Sequence, residues 1–254
     1  VEFLDDVIED DIVMGEGGII AEIDAMDFIK VIGGPLPIVL KKNEKSHEKK
    51  LAEPKESTME AEIPIENLLF ITKIGSGQFG SVYLVEDRVT QNLYALKCIS
   101  RQKIISLSLE KHLQEEKRVL QKMNFPFIMQ FVRSYKDDTN IYFLTEYVKG
   151  MELFDVIRDI GLLTSEESQF YAGSMILAIE YMHNQDIVYR DMKPENVMID
   201  SNGYPKLIDM GTCKELKRSE SGFPGRTFTI IGTPLYMAPE IIAGRGYSFY
   251  VDFW

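Results

Sequence analysis

Three polar residues of different chemistry, Asp191, Lys193 and Asn196, stand within six positions in IVYRDMKPENVMID, framed by apolar residues. Brought to one point, a carboxylate, an ammonium and an amide can accept a proton, offset negative charge and hydrogen-bond a substrate. The flanks DIVY and NVMID read as short β-type runs, and Pro194 interrupts any helix between them, so the polar residues are expected on a loop. The alternative is an ordinary polar turn in which Asp191 and Asn196 bond their own backbone.

Further groups of this kind lie elsewhere in the chain. KIGSGQFGSVYLVED carries G-x-G-x-x-G at Gly75, Gly77 and Gly80. The same letters serve a dinucleotide-binding phosphate loop, which must open a helix, and a flexible hairpin. SVYLVED alternates and is rich in β formers, so the glycines are expected to join two antiparallel strands; residues without Cβ let backbone amides lie close over phosphates. Lys97 in YALKCIS stands one strand further on, Glu116 lies in the first long helix, and Asp209 ends the apolar run in KLIDMGTCK. Each charge taken alone reads as solvated. A lysine that is to hold phosphate oxygens from a fixed position, however, needs a carboxylate partner.

The elements that must position these residues can be read from periodicity. Strands are expected at LLFITKI, GSVYLVED and NLYALKCIS, then a helix at LEKHLQEEKRVLQKM, two more strands at IMQFVRSYK and IYFLTEYV, and a strongly helical region from about 152 to 184. A small β-rich unit with one helix is thus followed by a helical unit. Upstream, VEFLDDVIEDDI is acidic, KKNEKSHEKK is base-rich with helical spacing, and LAEPKESTMEAE is polar and broken by Pro54, as a linker would be.

Composition bounds the function. A chain of 254 residues, 45% hydrophobic and 27% charged, has room for one large or two modest domains. Its net charge of −12 argues against a nucleic-acid partner. Cys98 and Cys213 give no disulfide framework and suggest a reducing, cytoplasmic setting, and His47, His112 and His183 are too scattered for a metal pattern. No apolar run is long enough for a membrane span, and no signal-peptide pattern opens the chain.

Taken in order, the Gly-rich loop, strand lysine, helix glutamate, catalytic loop, aspartate and APE of GTPLYMAPE resemble a eukaryotic protein kinase from about residue 66 to residue 254. The resemblance implies an α+β, two-lobed protein-kinase fold, with a β-rich lobe at 66–147 and a helical lobe, incomplete, at 148–254. It implies ATP and magnesium as cofactors. In-line phosphoryl transfer needs a group to orient and deprotonate the attacking hydroxyl, cations to offset charge on the moving phosphoryl, and ligands for the metal. By resemblance Asp191 is the base, Lys193 stabilises the γ-phosphate, and Asn196 with Asp209 binds magnesium. Lys97 holds the α- and β-phosphates and Glu116 orients it; Glu115 competes for that place, but EKRVL in the family starts on the pairing glutamate. Gly75, Gly77, Gly80, Val82, Ala95, Thr145, Glu146, Val148, Glu152 and Met198 complete the nucleotide site, and Glu195 and Thr233 face the protein substrate. Thr229 is the expected phosphorylation site, with Thr227 a close rival and Arg190 the expected guanidinium for its phosphate.

Tyr189 and Met210 depart from the usual histidine and phenylalanine of the family, and neither change removes a catalytic group. YRD is common in the branch that holds the cyclic-nucleotide-dependent kinases; DMKPEN and GTPLY resemble serine/threonine kinases. DFIKVIGGPLPIVLKKNEKSHEKK resembles the end of a cyclic-nucleotide-binding domain, so residues 1–50 are expected to be its remnant, with a linker at 51–65; the other reading is an unrelated acidic extension. A regulatory domain joined to a kinase points to the cyclic GMP-dependent protein kinases, and the small Thr145 in FLTEYV resembles their protozoan members. Partners implied are proteins with basic residues near Ser or Thr, and cyclic GMP in the full-length protein. The alternatives are a catalytically silent scaffold of kinase fold and a cyclic AMP-regulated relative. The chain stops at Trp254, with Asp252 in the first turn of the helix that anchors the catalytic loop in the family, so these residues alone are expected to transfer phosphate poorly and to bind no cyclic nucleotide.

Overall fold

The structure, a computed structural model, describes residues 12–15, 18–21, 63–77, 80–217 and 224–254. The chain divides into two units, Val1–Ser57 with Leu163–Gly173, and Thr58–Leu162 with Ser174–Trp254. In the first unit β1 (Ile12–Gly15) and β2 (Gly18–Ala21) pair as an antiparallel hairpin. The other expectations for residues 1–62, the base-rich helix and most of the linker among them, lie outside the described residues.

In the second unit β3 (Leu68–Gly77), β4 (Gly80–Asp87) and β5 (Leu93–Ser100) follow one another as antiparallel neighbours. Helices α1 (Arg101–Ser106) and α2 (Glu110–Lys122) come next, and then β6 (Phe131–Lys136) and β7 (Asn140–Glu146). The sheet runs β3-β4-β5-β7-β6. Register decides which residues share a face. Ala95 opposes Thr145, and Lys97 opposes both Val82 and Phe143, whereas Leu96 opposes Tyr83 and Leu144. Because directly opposed residues in an antiparallel pair share a face and side chains alternate along a strand, Val82, Ala95, Lys97 and Thr145 point to one side.

The other side is a closed apolar layer. Leu68, Val85, Leu96 and Leu144 are buried there together with Ile63, and Ile65 packs at its edge. Tyr135 donates its hydroxyl proton to the Ile63 carbonyl at 2.7 Å. Residues 63–65, expected to end a linker, therefore pack onto the folded sheet: an isoleucine at each end of IPI gains more from burial than a spacer needs.

The expected helical stretch at 152–184 is not continuous. It comprises the short strand β8 (Gly150–Glu152), α3 (Leu153–Ile160) and α4 (Ser165–Asn184). A turn separates the helices, and the second begins with a reciprocal cap: Glu167 N donates to Thr164 Oγ1 at 3.2 Å while Thr164 N donates to Glu167 Oε2 at 2.8 Å. Beyond α4 lie β9 (Ile187–Val188), β10 (Val197–Asp200), β11 (Pro205–Leu207) and β12 (Lys214–Glu215). β10 is central in a small sheet with β8 and β11, and β12 pairs with β9. Short helix α5 (Pro239–Ile242) and the closing 3-10 helix Phe249–Phe253 meet in a core of Val188, Leu216, Ala238, Ile241, Tyr247, Phe249 and Val251.

Burial of Ile63 gives a stability prediction. Ile63→Ala, at a site 4% exposed, should cost about 2–5 kcal/mol, whereas Ile71→Ala on β3, 50% exposed, should cost no more than about 0.5 kcal/mol. Urea unfolding of the two variants followed by tryptophan-independent circular dichroism would show the difference; equal midpoints would mean that the 63–67 segment does not belong to the core.

Candidate active site

The loop between β9 and β10 carries the densest polar network. Asp191 Oδ2 lies 2.9 Å from Lys193 Nζ and accepts from Asn196 Nδ2 at 3.0 Å, while Asp191 Oδ1 accepts from the Thr233 backbone N–H at 2.8 Å. Lys193 Nζ also donates to Thr233 Oγ1 at 2.6 Å. Asp191, Lys193, Asn196 and Thr233 thus meet at one point. A polar turn closed on its own backbone does not describe this loop: Asn196 does donate to the Asp191 carbonyl at 2.8 Å, but the Asp191 carboxylate receives its bonds from three other residues. Burial pushes the Asp191 carboxyl up, yet the hydrogen bonds from Lys193 and Thr233 outweigh it and hold the group below the usual carboxylate range. The carboxylate is charged at neutral pH.

Backbone geometry explains the convergence. Arg190 takes a positive φ of 75° just before Asp191, and Asp209 takes 56°. Gly232 has φ 112°, and a Cβ there would lie 2.6 Å from the Arg190 carbonyl oxygen, so only glycine lets Thr233 approach Asp191 this closely. The strained loop is held from beneath by Asp252, which the family resemblance placed in the helix that anchors this loop, without naming what its carboxylate binds. Asp252 is buried, and its carboxylate accepts from Tyr189 N at 2.8 Å and from Arg190 N at 2.7 Å, with His183 Nε2 2.7 Å away. An acid between Val251 and Phe253, both apolar, was the available signal, since a carboxylate in such company is buried only when it is hydrogen-bonded.

Across from this loop stand the sheet's contributions. On α2, Glu116, Val119 and Leu120 are buried at helical spacing, so the helix turns Glu116 inward with its apolar face. Lys97 Nζ lies 2.6 Å from Glu116 Oε1, and Glu115 takes no part in the pair. Asp209 Oδ1 is 4.0 Å from the same ammonium and also accepts from Gly211 N at 3.0 Å. Burial disfavours the Lys97 charge, but Glu116 and then Asp209 outweigh it and raise its pKa, so the ammonium persists. Thr145 is buried with its hydroxyl 3.4 Å from the Ala95 carbonyl oxygen. Glu146 Oε1 takes both Lys206 Nζ at 2.7 Å and the Gln130 N–H at 2.8 Å, and the Glu146 N–H donates to the Gln130 carbonyl at 2.9 Å. Val148 is buried, and Met198 opposes Glu152 across β10 and β8.

The glycine loop departs from its expected rationale at one position. Gly77 opposes Gly80 at the end of the hairpin, and Gly75 opposes Val82 with room for a Cβ. At Gly80 a Cβ would collide with the Cys98 carbonyl on β5, so this glycine is required by strand packing as well as by any ligand. Met210 is buried with its sulfur 3.6 Å from Cys213 Sγ, and Tyr189 is buried with its hydroxyl donating to the Ile208 carbonyl at 2.8 Å.

With Thr229 unmodified, Arg190 is linked to it, among the described residues, only through Tyr247, whose hydroxyl donates to the Thr229 carbonyl. Arg190 Nε donates to the Thr212 carbonyl at 2.6 Å, and its other nitrogens reach the Cys213 carbonyl and the Tyr247 hydroxyl, each at 3.3 Å. Buried carbonyls that lack another donor take the guanidinium first. Thr229 is exposed and Thr227 is buried, with their hydroxyls 3.5 Å apart; the cation beside them is Lys214, whose Nζ is 3.0 Å from Thr227 Oγ1.

A divalent cation would find hard oxygen donors here. Asn196 commits its amide nitrogen to Asp191, which leaves its oxygen for a cation, and the Asp209 side chain is 52% exposed. Among the described residues no group of three or more His, Cys, Asp or Glu is gathered as a metal cage. Two protein oxygens with the rest supplied by phosphate and water suit magnesium.

Comparison with known proteins accounts for this arrangement. The model of the protein kinase domain family matches residues 68–254. A cGMP-dependent protein kinase of Toxoplasma gondii is 45% identical over 195 residues, 77% of this chain and 19% of that protein. One from Plasmodium berghei (strain Anka) is 43% identical over 232 residues, 91% of this chain and 25% of that protein. The cAMP-dependent protein kinase catalytic subunit PRKX of Homo sapiens is 40% identical over 184 residues, 72% of this chain and 49% of that protein. The chain therefore spans about a fifth to a half of the length of these relatives. With the loop network, the Lys97–Glu116 pair and a family match over residues 68–254, the chain belongs to the protein kinase domain family.

Proposed function

We propose that the chain transfers the γ-phosphate of ATP to serine and threonine hydroxyls of proteins, and that the protein carrying it is regulated by cyclic GMP. The observation that carries the reading is the Asp191 carboxylate, held ionised by Lys193 and Thr233 beside Asn196. When bound, MgATP supplies the phosphoryl group and the cation that offsets its charge. Lys97, fixed by Glu116, holds the α- and β-phosphates, and Asn196 with Asp209 holds the magnesium. Asp191 orients the attacking hydroxyl and takes its proton, and Lys193 offsets charge on the γ-phosphate. Val82, Ala95, Thr145, Val148 and Met198 enclose the adenine, beneath the glycines of the hairpin.

Basic residues in the substrate fit the local charge. Burial raises the Glu152 carboxyl, and the neighbouring Asp155 and Glu195 raise it further. Glu195 Oε2 is buried with no hydrogen-bond partner among the described residues. A substrate arginine or lysine would relieve both. Residues 1–50 are proposed as the end of a cyclic-nucleotide-binding domain, a reading supported by the names of the T. gondii and P. berghei relatives. Cyclic AMP is the second candidate, because the human cAMP-dependent relative matches at 40% identity. A cytoplasmic location fits two free cysteines, and no helix among the described residues is long and apolar enough to cross a membrane.

Three outcomes follow from this assignment. In the full-length protein, phosphate transfer to a basic Ser/Thr peptide should rise with cyclic GMP more than with cyclic AMP. Lys97→Met and Asp209→Ala should each remove it, and Asp191→Asn should lower kcat by about 10²–10⁴-fold while MgATP still binds. Turnover surviving in Lys97→Met would show that the chemistry lies elsewhere. At Thr145, 6% exposed against Ala95, a small side chain at the back of the adenine site would leave an apolar recess. Thr145→Met should weaken ATP-competitive inhibitors that carry a large aryl group about tenfold or more, with the KM for ATP changed far less; parallel losses in inhibitor and ATP affinity would place Thr145 outside the recess. Finally, phosphate on the exposed Thr229 should engage Lys214, so Thr229→Ala and Lys214→Ala should both lower kcat. Mass spectrometry that finds no phosphate at Thr229, with Thr229→Ala fully active, would rule this switch out.

A further inference from the structure

We propose that Glu215 is a positioning residue that clamps α2 to β12 and so keeps Glu116 against Lys97. The inference rests on the reading of the site given above. Arg118 forms a hydrogen-bonded ion pair with Glu215 Oε2, and Lys122 Nζ reaches the same oxygen at 3.0 Å. The two cations are four residues apart and therefore neighbours on one stripe of the helix. Arg118 follows Glu116 by two residues, which places it about 200° around the helix axis. Glu116 and the Arg118–Lys122 stripe thus grip α2 from nearly opposite sides. A rotation that withdrew Glu116 from Lys97 would have to pull both cations off Glu215.

β12 is suited to this task by what holds it. It pairs with β9 through Lys214–Val188 and Glu215–Ile187, directly before the catalytic loop. Leu216 is buried in the core beneath α5, and its N–H donates to the Asp186 carbonyl at 2.8 Å. The two residues of the strand reach different neighbours, Lys214 the Thr227 hydroxyl and Glu215 the helix, as alternation along a strand requires. The strand therefore joins the segment that carries Thr227 and Thr229 to the helix that carries Glu116. A single exposed ion pair would be weak, but here two cations converge on one carboxylate that is only 20% exposed. The network acts on geometry more than on global stability.

The test compares Glu215→Ala, Glu215→Arg and the charge-reversed cluster R118E/K122E/E215R in the full chain. Glu215→Ala should lower kcat/KM for ATP about threefold to tenfold, the scale of a partly buried ion pair, with the KM for peptide unchanged. Glu215→Arg, which sets three cations together, should lower it further, and the reversed cluster should recover most of the loss. Hydrogen exchange of the α2 amides should accelerate in both single variants and slow again in the reversed cluster. Unchanged exchange in Glu215→Ala, or a reversed cluster that exchanges as fast as Glu215→Arg, overturns the clamp. If the variants show this exchange pattern while the wild-type chain phosphorylates no peptide, the clamp stands and the proposed activity falls, so the two readings fail separately.

Discussion

A single buried carboxylate underlies the geometry of the site. Asp252 takes the amide protons of Tyr189 and Arg190 and lies beside His183, all within hydrogen-bond distance and out of water. Backbone N–H groups buried without partners are costly, and a carboxylate buried without donors is costlier still, so each satisfies the other. With the amides fixed, Arg190 can hold its positive φ, and the chain turns so that Asp191 faces Lys193, Asn196 and Thr233. Removal of one partner from such a buried set costs more than the bond it makes, because the groups left behind stay desolvated.

The same logic of paired charges recurs at each cation of the site. Lys97 is answered by Glu116 and Asp209, Lys193 by Asp191, and Lys206 by Glu146. Ammonium groups held this way stay charged in partial burial and keep one position, which is what recognition of a polyphosphate requires. Two acids are less fully answered: burial, Asp155 and Glu195 raise the Glu152 carboxyl against the pull of Lys193, and Glu195 Oε2 is buried without a hydrogen-bond partner among the described residues.

Two kinds of contact connect the sheet to the helical part. Through β11, Leu207 exchanges hydrogen bonds with Phe127 and Met129 at 2.8 and 2.9 Å, and Lys206 reaches Glu146. Through α2, Glu116 faces Lys97 while Arg118 and Lys122 face Glu215. Asp209 stands between these two connections, two residues after Leu207 and six before Glu215, so its position depends on both.

Local patterns in the sequence determined much of this. Alternation marked β3, β4, β5 and β7, helical spacing marked α2, and the order of Gly75, Lys97, Glu116, Asp191, Asn196 and Asp209 named the family's motifs before any contact was known. Period and residue order are properties of a single strand or helix, and so they are legible along the chain. What the tertiary structure alone decided are choices among partners distant in sequence. Arg190 goes to the Thr212 and Cys213 carbonyls and leaves Lys214 beside Thr227, Gly80 is required by the Cys98 carbonyl, Ile63 joins the sheet's core, and the Asp252 carboxylate takes the Tyr189 and Arg190 amides in particular. Each of these depends on which buried polar or apolar group has no better neighbour once the chain is folded, and that competition is set by packing in space, which no local pattern encodes.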